Sequence, residues 1–296
     1  MSFVYHANAL AFGGVLRNPC CDVLPSIGSV VLSPSGGEGS VTIRDFNYKG
    51  IIRFDEASVY VGGSKRGKYR NTISTVSIRN LNILNMLHAD LLVGRVTSEH
   101  PESEDPQKAQ CTEPEFTFEG SLLENLTLAG RKVDVQFDHS VFSRYATYSS
   151  FVTGFSDPAG AEDDTVSPRA SESSKDCRAA RYGKRFGWAP NRCADGPPRT
   201  CDVIRASLVS SMDIPEADPD EDFGNEATRR LCDRKQPVRR NGYVVRIADF
   251  GTVAIGEVIL KQHQRTVNML RFSLGSPHDG EFTAGSTSTN GTDMFP

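Results

Sequence analysis

The chain has 296 residues, of which 38% are hydrophobic and 24% are charged, and its formal net charge is −4. This length allows a sizeable core, and the low hydrophobic content together with 26 glycines indicates a β-rich fold with many turns. The slightly acidic balance argues against binding of a polyanion by the whole chain, and no apolar run is long enough to span a bilayer.

Whether the cysteines form disulfides depends on the cellular compartment of the protein. The stretch MSFVYHANALAFGGVLRNP lacks the basic residue that precedes the apolar part of a secretory signal, so we expect a cytoplasmic protein, or an extracellular or surface protein if a signal has been removed. Four cysteines fall in one segment and could form two disulfides in an oxidising compartment, with three connectivities open: Cys177, Cys193, Cys201 and Cys232. In a reducing cytoplasm they are thiols. No C-x-x-C pair is present, which argues against a zinc ribbon.

Residues 1–154 form the first part of a β domain, built from short alternating segments. Gly62, Gly67 and Lys68 have the spacing of a phosphate-binding loop, G-x-x-x-x-G-K. The next residue, Tyr69, cannot hold magnesium as Ser or Thr would, and the following NTISTVSIRNLNI is β-branched and nearly alternating. We therefore predict a hairpin turn with an exposed basic tip.

The most apolar run is STVSIRNLNILNMLHADLLVGRVTS. Leu81, Leu84 and Leu87 would fit one helical face, but the alternation continues through Leu91 and Val93, which favours strands. The segments SIRNLNILN and LLENLTLAG share an Asn-Leu pair at residues 80 and 125, which is 125 − 80 = 45 residues apart. We interpret them as two similar strand–turn–strand units inside one sandwich.

This pattern resembles the choice-of-anchor P family of bacterial β-rich surface proteins. The resemblance covers residues 7–137 and rests on ANALAFGGVL, on the two Asn-Leu segments and on the Ala89-Asp90 step. It implies a β-rich fold and no established activity. The missing secretion signal departs from the family, so surface localisation does not follow.

Residues 155–240 are predicted to be a polar, cysteine-containing insertion. Its part from residue 175 to 205 carries eight Lys or Arg against three Asp, interleaved with aromatic residues. Such a pattern can hold a single-stranded nucleic acid or a glycan, although the flanking acidic runs nearly cancel the charge and disfavour nucleic acid. The candidate binding residues are Tyr182, Arg185, Phe186 and Trp188.

Strands return in residues 241–280, which we expect to complete the β domain begun at the N-terminus. Residues 281–296 are expected to be a flexible tail or arm. The predicted fold is therefore mainly β, an antiparallel sandwich-like domain with an irregular insertion.

The sequence offers few catalytic constellations. Asp138, His139 and Ser140 are consecutive, and neighbours on a strand point to opposite faces, so they cannot converge as a triad by themselves. His88 and Asp90 share one face of a strand and could form an acid–base pair, but a third ligand for a metal is not identifiable. The run DPDEDFGNE lacks the glycine and glutamate positions of a calcium loop. We predict no cofactor, no metal and no catalytic residue.

The function predicted from the sequence is that of a non-enzymatic structural or interaction protein, with itself as partner in a homo-oligomer or filament. Two alternatives stay open. One is a hydrolase whose residues gather from distant loops, so the enzyme question leans to no without being closed. The other is a glycan-binding or nucleic-acid-binding module centred on the basic-aromatic insertion.

Overall fold

The computed structural model describes residues 2–19, 21–102, 113–151, 186–188, 204–213, 239–241, 243–261, 263–275 and 277–294. In this part of the chain two large antiparallel sheets pack face to face around one core. The predicted fold class, a mainly β antiparallel sandwich, is confirmed.

Sheet 1 contains both ends of the chain. Its main path runs in the order β12-β13-β17-β18-β19-β1-β2, and β3, β15 and β16 pair beside it. Its ten described strands are β1 (Ser2–Asn18), β2 (Asp22–Ile27), β3 (Val30–Val31), β12 (Phe186–Trp188), β13 (Ile204–Ser207), β15 (Arg239–Asn241), β16 (Val244–Ile247), β17 (Gly251–Lys261), β18 (Gln264–Leu274) and β19 (Asp279–Met294).

Sheet 2 is built from the middle of the chain. Its main path runs in the order β14-β11-β10-β7-β6-β5-β4, and β8 and β9 pair with β7. Its nine described strands are β4 (Gly37–Tyr48), β5 (Ile52–Arg66), β6 (Tyr69–Ile83), β7 (Leu87–Pro101), β8 (Glu115–Thr117), β9 (Leu122–Glu124), β10 (Leu126–Leu128), β11 (Arg131–Phe137) and β14 (Val209–Asp213). A short helix, α1 (Ser140–Arg144), follows β11.

The two ends of the chain meet in sheet 1. Strand β19 lies between β18 and β1, and its register with β1 runs from Ser2 opposite Met294 to Asn18 opposite Asp279. Of the flexible tail or arm expected at residues 281–296, residues 281–294 therefore lie in a strand that is paired on both sides. The segment is rich in Ser, Thr and Gly, but a strand with neighbours on both sides satisfies its backbone groups through them.

The glycine-rich stretch at residues 59–71 is a hairpin, as predicted. Strands β5 and β6 pair up to Arg66 opposite Tyr69, which leaves Gly67 and Lys68 as a two-residue turn. Gly67 has a φ of 61°, the positive value that the first central position of a type II′ hairpin turn needs.

Part of the expected insertion belongs to the sandwich. Strand β13 pairs with β17 in sheet 1, and strand β14, only two residues further on, pairs with β11 in sheet 2. Leu208 lies between them and is fully buried, as is Ala206. Apolar side chains in an otherwise polar segment thus carry the chain from one sheet to the other.

The two ends of the core differ in their buried side chains. Phe46 stacks on Phe54 near the β4–β5 turn, at a ring distance of 4.7 Å. The opposite end, here called the polar end, contains buried polar side chains among apolar ones, and Thr72 Oγ1 lies 2.5 Å from Ser98 Oγ. Other buried polar residues at this end include Ser74, His100, Arg265, Thr287, Ser288 and Thr289.

Candidate functional site

Three hairpins of sheet 2 repeat one backbone design. They comprise the turn between β4 and β5, the turn between β6 and β7, and the turn between β10 and β11. In each hairpin an Asp or Asn has positive φ, as do the residues four and five positions later: Asp45, Lys49 and Gly50; Asn80, Leu84 and Asn85; Asn125, Ala129 and Gly130. The second and third units contain the two Asn-Leu pairs that are visible in the sequence. The first unit has Asp-Phe at the same place, so the sequence pattern does not reveal it.

The hairpin tips are bonded to one another. Leu84 N donates to Ile51 O at 2.8 Å, and Ala129 N donates to Met86 O at 2.6 Å, so each tip is held by the tip before it. Within each of the first two tips, an Asn side chain also accepts a hydrogen bond from a backbone N–H. Asn47 Oδ1 accepts from Gly50 N at 2.9 Å, and Asn82 Oδ1 accepts from Asn85 N at 3.0 Å. This side-chain cap accounts for Asn82 in the apolar run.

A row of Asp and Asn residues, here called the Asx row, crosses the outer face of sheet 2. Asn80 Nδ2 donates to Asp55 Oδ2 at 2.6 Å, and Asn125 Nδ2 donates to Asp90 Oδ2 at 2.8 Å. Asn80 lies between Asp55 and Asp90 in this row, which lowers the repulsion between like charges on nearby strands. In strand order across the sheet the row consists of Asp45, Asp55, Asn80, Asp90, Asn125, Asp134 and Asp213, of which the last two are in register.

The structure places His88 beside the Asx row. Its Nδ1 lies 3.6 Å from Asp90 Oδ1, and the two side chains are 36% and 46% exposed. His88 and Asp90 therefore share one strand face and form a loose surface contact. Asp90 is also bonded to Asn125, which holds it in the row.

The consecutive residues Asp138, His139 and Ser140 do not form a triad. Asp138 Oδ1 accepts from Ser140 N at 2.8 Å and from Ser140 Oγ at 2.5 Å. This is the contact of a carboxylate that caps the first turn of α1.

Sheet 1 buries a carboxylate under two arginines. Glu257 is fully buried, Arg205 Nη1 donates to it at 2.9 Å, and Arg271 donates through Nε and Nη2 at 2.9 and 2.8 Å. Asn268 Nδ2 donates to the same carboxylate at 3.1 Å. Burial alone would raise the pKa of Glu257, but the hydrogen bonds and charge of Arg271, with Asn268 and Arg205, bring its pKa below the ordinary 4.5.

A second buried charge, Arg265, lies at the polar end of the core. Its guanidinium carbon is 4.3 Å from the ring centroid of Phe116 and 5.8 Å from that of Tyr148. Its Nη1 donates to the carbonyls of Lys261 and Gln264. Burial lowers the pKa of Arg265 to about 9, and the aromatic faces offset part of the lost hydration. The narrow space beside it is lined by aromatic side chains of the 113–151 segment.

The edge of sheet 2 is open at β4. This strand has 12 residues, and within the described part of the chain it pairs with β5 and with no other strand. An antiparallel edge strand turns every second pair of backbone N–H and C=O groups away from its partner, where another strand can bond to them. The outward-facing side chains of this edge carry both signs of charge, on Glu38 and Arg44.

Two of the four residues predicted for a binding site, Tyr182 and Arg185, lie outside the described residues. The same applies to the four cysteines of the proposed disulfides, Cys177, Cys193, Cys201 and Cys232. The backbone of Phe186–Trp188 forms β12, in which Trp188 is in register with Ile204 of β13.

Two further observations concern the described residues alone. They hold no group of three or more His, Cys, Asp or Glu side chains arranged to bind a metal ion. None of their helices combines the length and the apolar character needed to cross a membrane.

The fold defines this chain as a β-sandwich protein of two antiparallel sheets. A family described as a domain of unknown function, DUF8256, matches residues 3–261, so the chain belongs to that family. No curated protein and no solved structure matched the chain.

Proposed function

We propose that this protein is a non-enzymatic structural or interaction protein that self-associates by pairing strands edge to edge. The observation that carries this proposal is the open edge of sheet 2. Strand β4 is about twice the length of an average strand, and only one of its sides is bonded within the described residues. A long edge with unpaired backbone groups is a template for another strand.

The interactions of the ionisable residues support a structural role. Glu257 is held by two arginines, Asp138 caps a helix, and Asp90 accepts from Asn125. Each carboxylate is engaged in holding a strand, a turn or a helix end. The fold thus uses these groups to define its own shape, as expected of a protein whose surface is its functional part.

The pairing of strand β19 determines which strand is available for assembly of several copies. Strand β19 is bonded on both sides within its own sheet, to β18 and β1. It therefore needs no second copy to complete its pairing. We therefore place the assembly contact at the β4 edge and not in an exchange of the C-terminal segment.

Light scattering coupled to size-exclusion chromatography, over a hundredfold range of loading concentration, tests the proposal. We expect a mass that is a multiple of 32.4 kDa at high concentration and falls on dilution. Electron microscopy of the same fractions then shows whether the assemblies are closed particles or filaments. A constant mass of one chain at all concentrations would contradict the proposal.

A further inference from the structure

The outer and inner faces of β4 differ along its first eight residues. Ser40 and Thr42 are exposed together with Glu38 and Arg44, whereas Gly39, Val41 and Ile43 between them are half-buried. Glu38 and Arg44 lie three positions to either side of Val41 and carry opposite charges on the same face. The segment is therefore self-complementary about Val41 when it faces a second copy of itself in the antiparallel direction.

We propose that two copies of this chain pair β4 against β4 about a two-fold axis at Val41. This inference rests on the proposed self-association and names its seam. In this register Glu38 lies opposite the partner's Arg44, and Arg44 lies opposite the partner's Glu38. Directly opposed residues of an antiparallel pair share one face of the sheet, so both ion pairs form on the outer face.

Neighbouring registers lose these pairs. Centring the axis on Ser40 places Glu38 opposite the partner's Thr42, and centring it on Thr42 places Glu38 opposite the partner's Phe46. A shift that centres the axis between two residues would oppose inward-facing and outward-facing side chains, which the pleat does not allow. Charge and pleat together select the axis at Val41.

Arg44 has capacity for the additional partner. Its Nε donates to Glu56 Oε2 of the same chain at 3.0 Å, and its side chain is 73% exposed. The guanidinium has five N–H donors, and within the described residues the Nε–H is the one that is bonded. In the dimer Arg44 would lie between Glu56 of its own strand pair and the partner's Glu38.

The seam ends at Asp45 and closes at two copies. Asp45 has a φ of 54°, a left-handed conformation that turns the backbone out of regular strand geometry. In this register Gly37 would face the partner's Asp45, so pairing is confined to residues 38–44. Because a two-fold contact uses the same surface in both copies, it leaves no free copy of that edge for a third chain. The seam predicts a dimer, with any larger assembly built through other surfaces.

The test exchanges the charges. Arg44→Glu should weaken the dimer by about tenfold or more, because like charges then face each other twice across the seam. The double variant Glu38→Arg with Arg44→Glu should restore dimerisation. The matched control is Arg79→Glu, since Arg79 also faces Glu56 across the sheet but lies on the interior strand β6. Its dimer should be as stable as that of the unaltered chain.

A crosslink reports the register independently. Val41→Cys places a thiol on the two-fold axis, where the two Cα atoms are within disulfide range, whereas Thr42→Cys does not face itself in this register. Mass spectrometry after mild oxidation should find a residue 41 to residue 41 link in the first variant. It should find no residue 42 to residue 42 link in the second.

The outcomes separate the two proposals. A dimer that survives Arg44→Glu and gives no residue 41 link overturns this seam while self-association stands. A folded double variant that stays monomeric overturns the charge register. A monomer at every concentration in the unaltered chain overturns both.

Discussion

Glu257 carries a buried charge that two arginines of sheet 1 compensate. Its carboxylate is fully buried, and removing one partner of a buried ion pair leaves the other charges without compensation. We expect Glu257→Gln to destabilise the protein by about 3 kcal/mol at pH 7. Urea denaturation measures this change. Glu281→Gln is the control, because Glu281 forms a 3.5 Å surface pair with Arg17 and should change stability by less than about 0.5 kcal/mol.

The same residue predicts a pH dependence. The pKa of Glu257 is lowered in the folded state, so its ionised form favours folding. This stabilisation is fully present above the unfolded pKa of about 4.5 and is lost as the pH falls through the lower folded pKa. The difference in unfolding free energy between the unaltered chain and Glu257→Gln should therefore shrink below pH 4.5. A difference that grew on acidification would contradict the ion-pair assignment.

In contrast to Glu257, Thr287 has a buried polar group without a stabilising contact among the described residues. Its Oγ1 is buried, with no hydrogen-bond partner among the described residues. Valine has the same shape without the hydroxyl, so Thr287→Val removes an uncompensated desolvation cost. We expect the variant to be about 1 kcal/mol more stable in thermal unfolding. Ser207→Ala is the contrasting variant, because Ser207 Oγ donates to Ile255 O at 2.9 Å, and its loss should destabilise.

At the scale of the elements, both sheets contain residues with positive φ inside their strands. In sheet 1 these residues are glycines, among them Gly285 with a φ of 66° in β19. A Cβ at Gly285 would lie 2.4 Å from Leu92 Cδ2 of sheet 2, so the two sheets approach closely at this position. In sheet 2 the corresponding residues include Asp45 and Asn80, which are exposed, and Asp and Asn tolerate this conformation.

Two glycine variants separate backbone strain from packing. Gly67→Ala in the β5–β6 turn meets no atom within 4 Å and has a φ of 61°, so it should cost about 1 kcal/mol from conformation alone. Gly285→Ala has a similar φ and also the contact with Leu92, so we expect a loss at least twice as large. Chemical denaturation of both variants gives the comparison. Equal losses would show that the sheets do not depend on this close approach.

Much of this element structure is visible in the sequence, and the remainder is hidden for physical reasons. The alternation from Ile73 to Val93 predicts the strands, and the Asn-Leu echo predicts two hairpin units. The first hairpin unit, between β4 and β5, escapes because Asp45 and Lys49 take the same backbone conformation with different side chains. At Leu84 the positive φ accompanies a tertiary hydrogen bond to Ile51 O, which no local pattern encodes. The open edge of β4 is likewise a property of strand order.

At the scale of the whole molecule, sheet 1 pairs strands that lie far apart in the sequence. Strand β1 begins at Ser2, and its long partner β19 ends at Met294. Contacts this distant in sequence form late and slowly, because the loop between them must close first. We therefore expect β1 to pair with β19 late in folding. Sheet 2, in contrast, contains mostly hairpins between strands that are neighbours in the sequence.

Deletion of residues 279–296 tests this dependence. The truncated chain loses the strand between β18 and β1, which leaves two unpaired edges in the middle of sheet 1. We expect it to aggregate or to lose cooperative thermal unfolding, followed by circular dichroism, and to be cleaved readily by protease. Retention of a sharp transition would mean that sheet 1 is stable without its central strand.

The repeated hairpins of sheet 2 also make this domain extensible. Each tip accepts a backbone hydrogen bond from the next, at Ile51 from Leu84 and at Met86 from Ala129. A duplicated gene segment encoding one more hairpin, inserted between two existing ones, would find the same donor and acceptor on either side. Members of such a lineage could differ in breadth by whole hairpins while keeping one design, and an engineer could widen the sheet in the same increments.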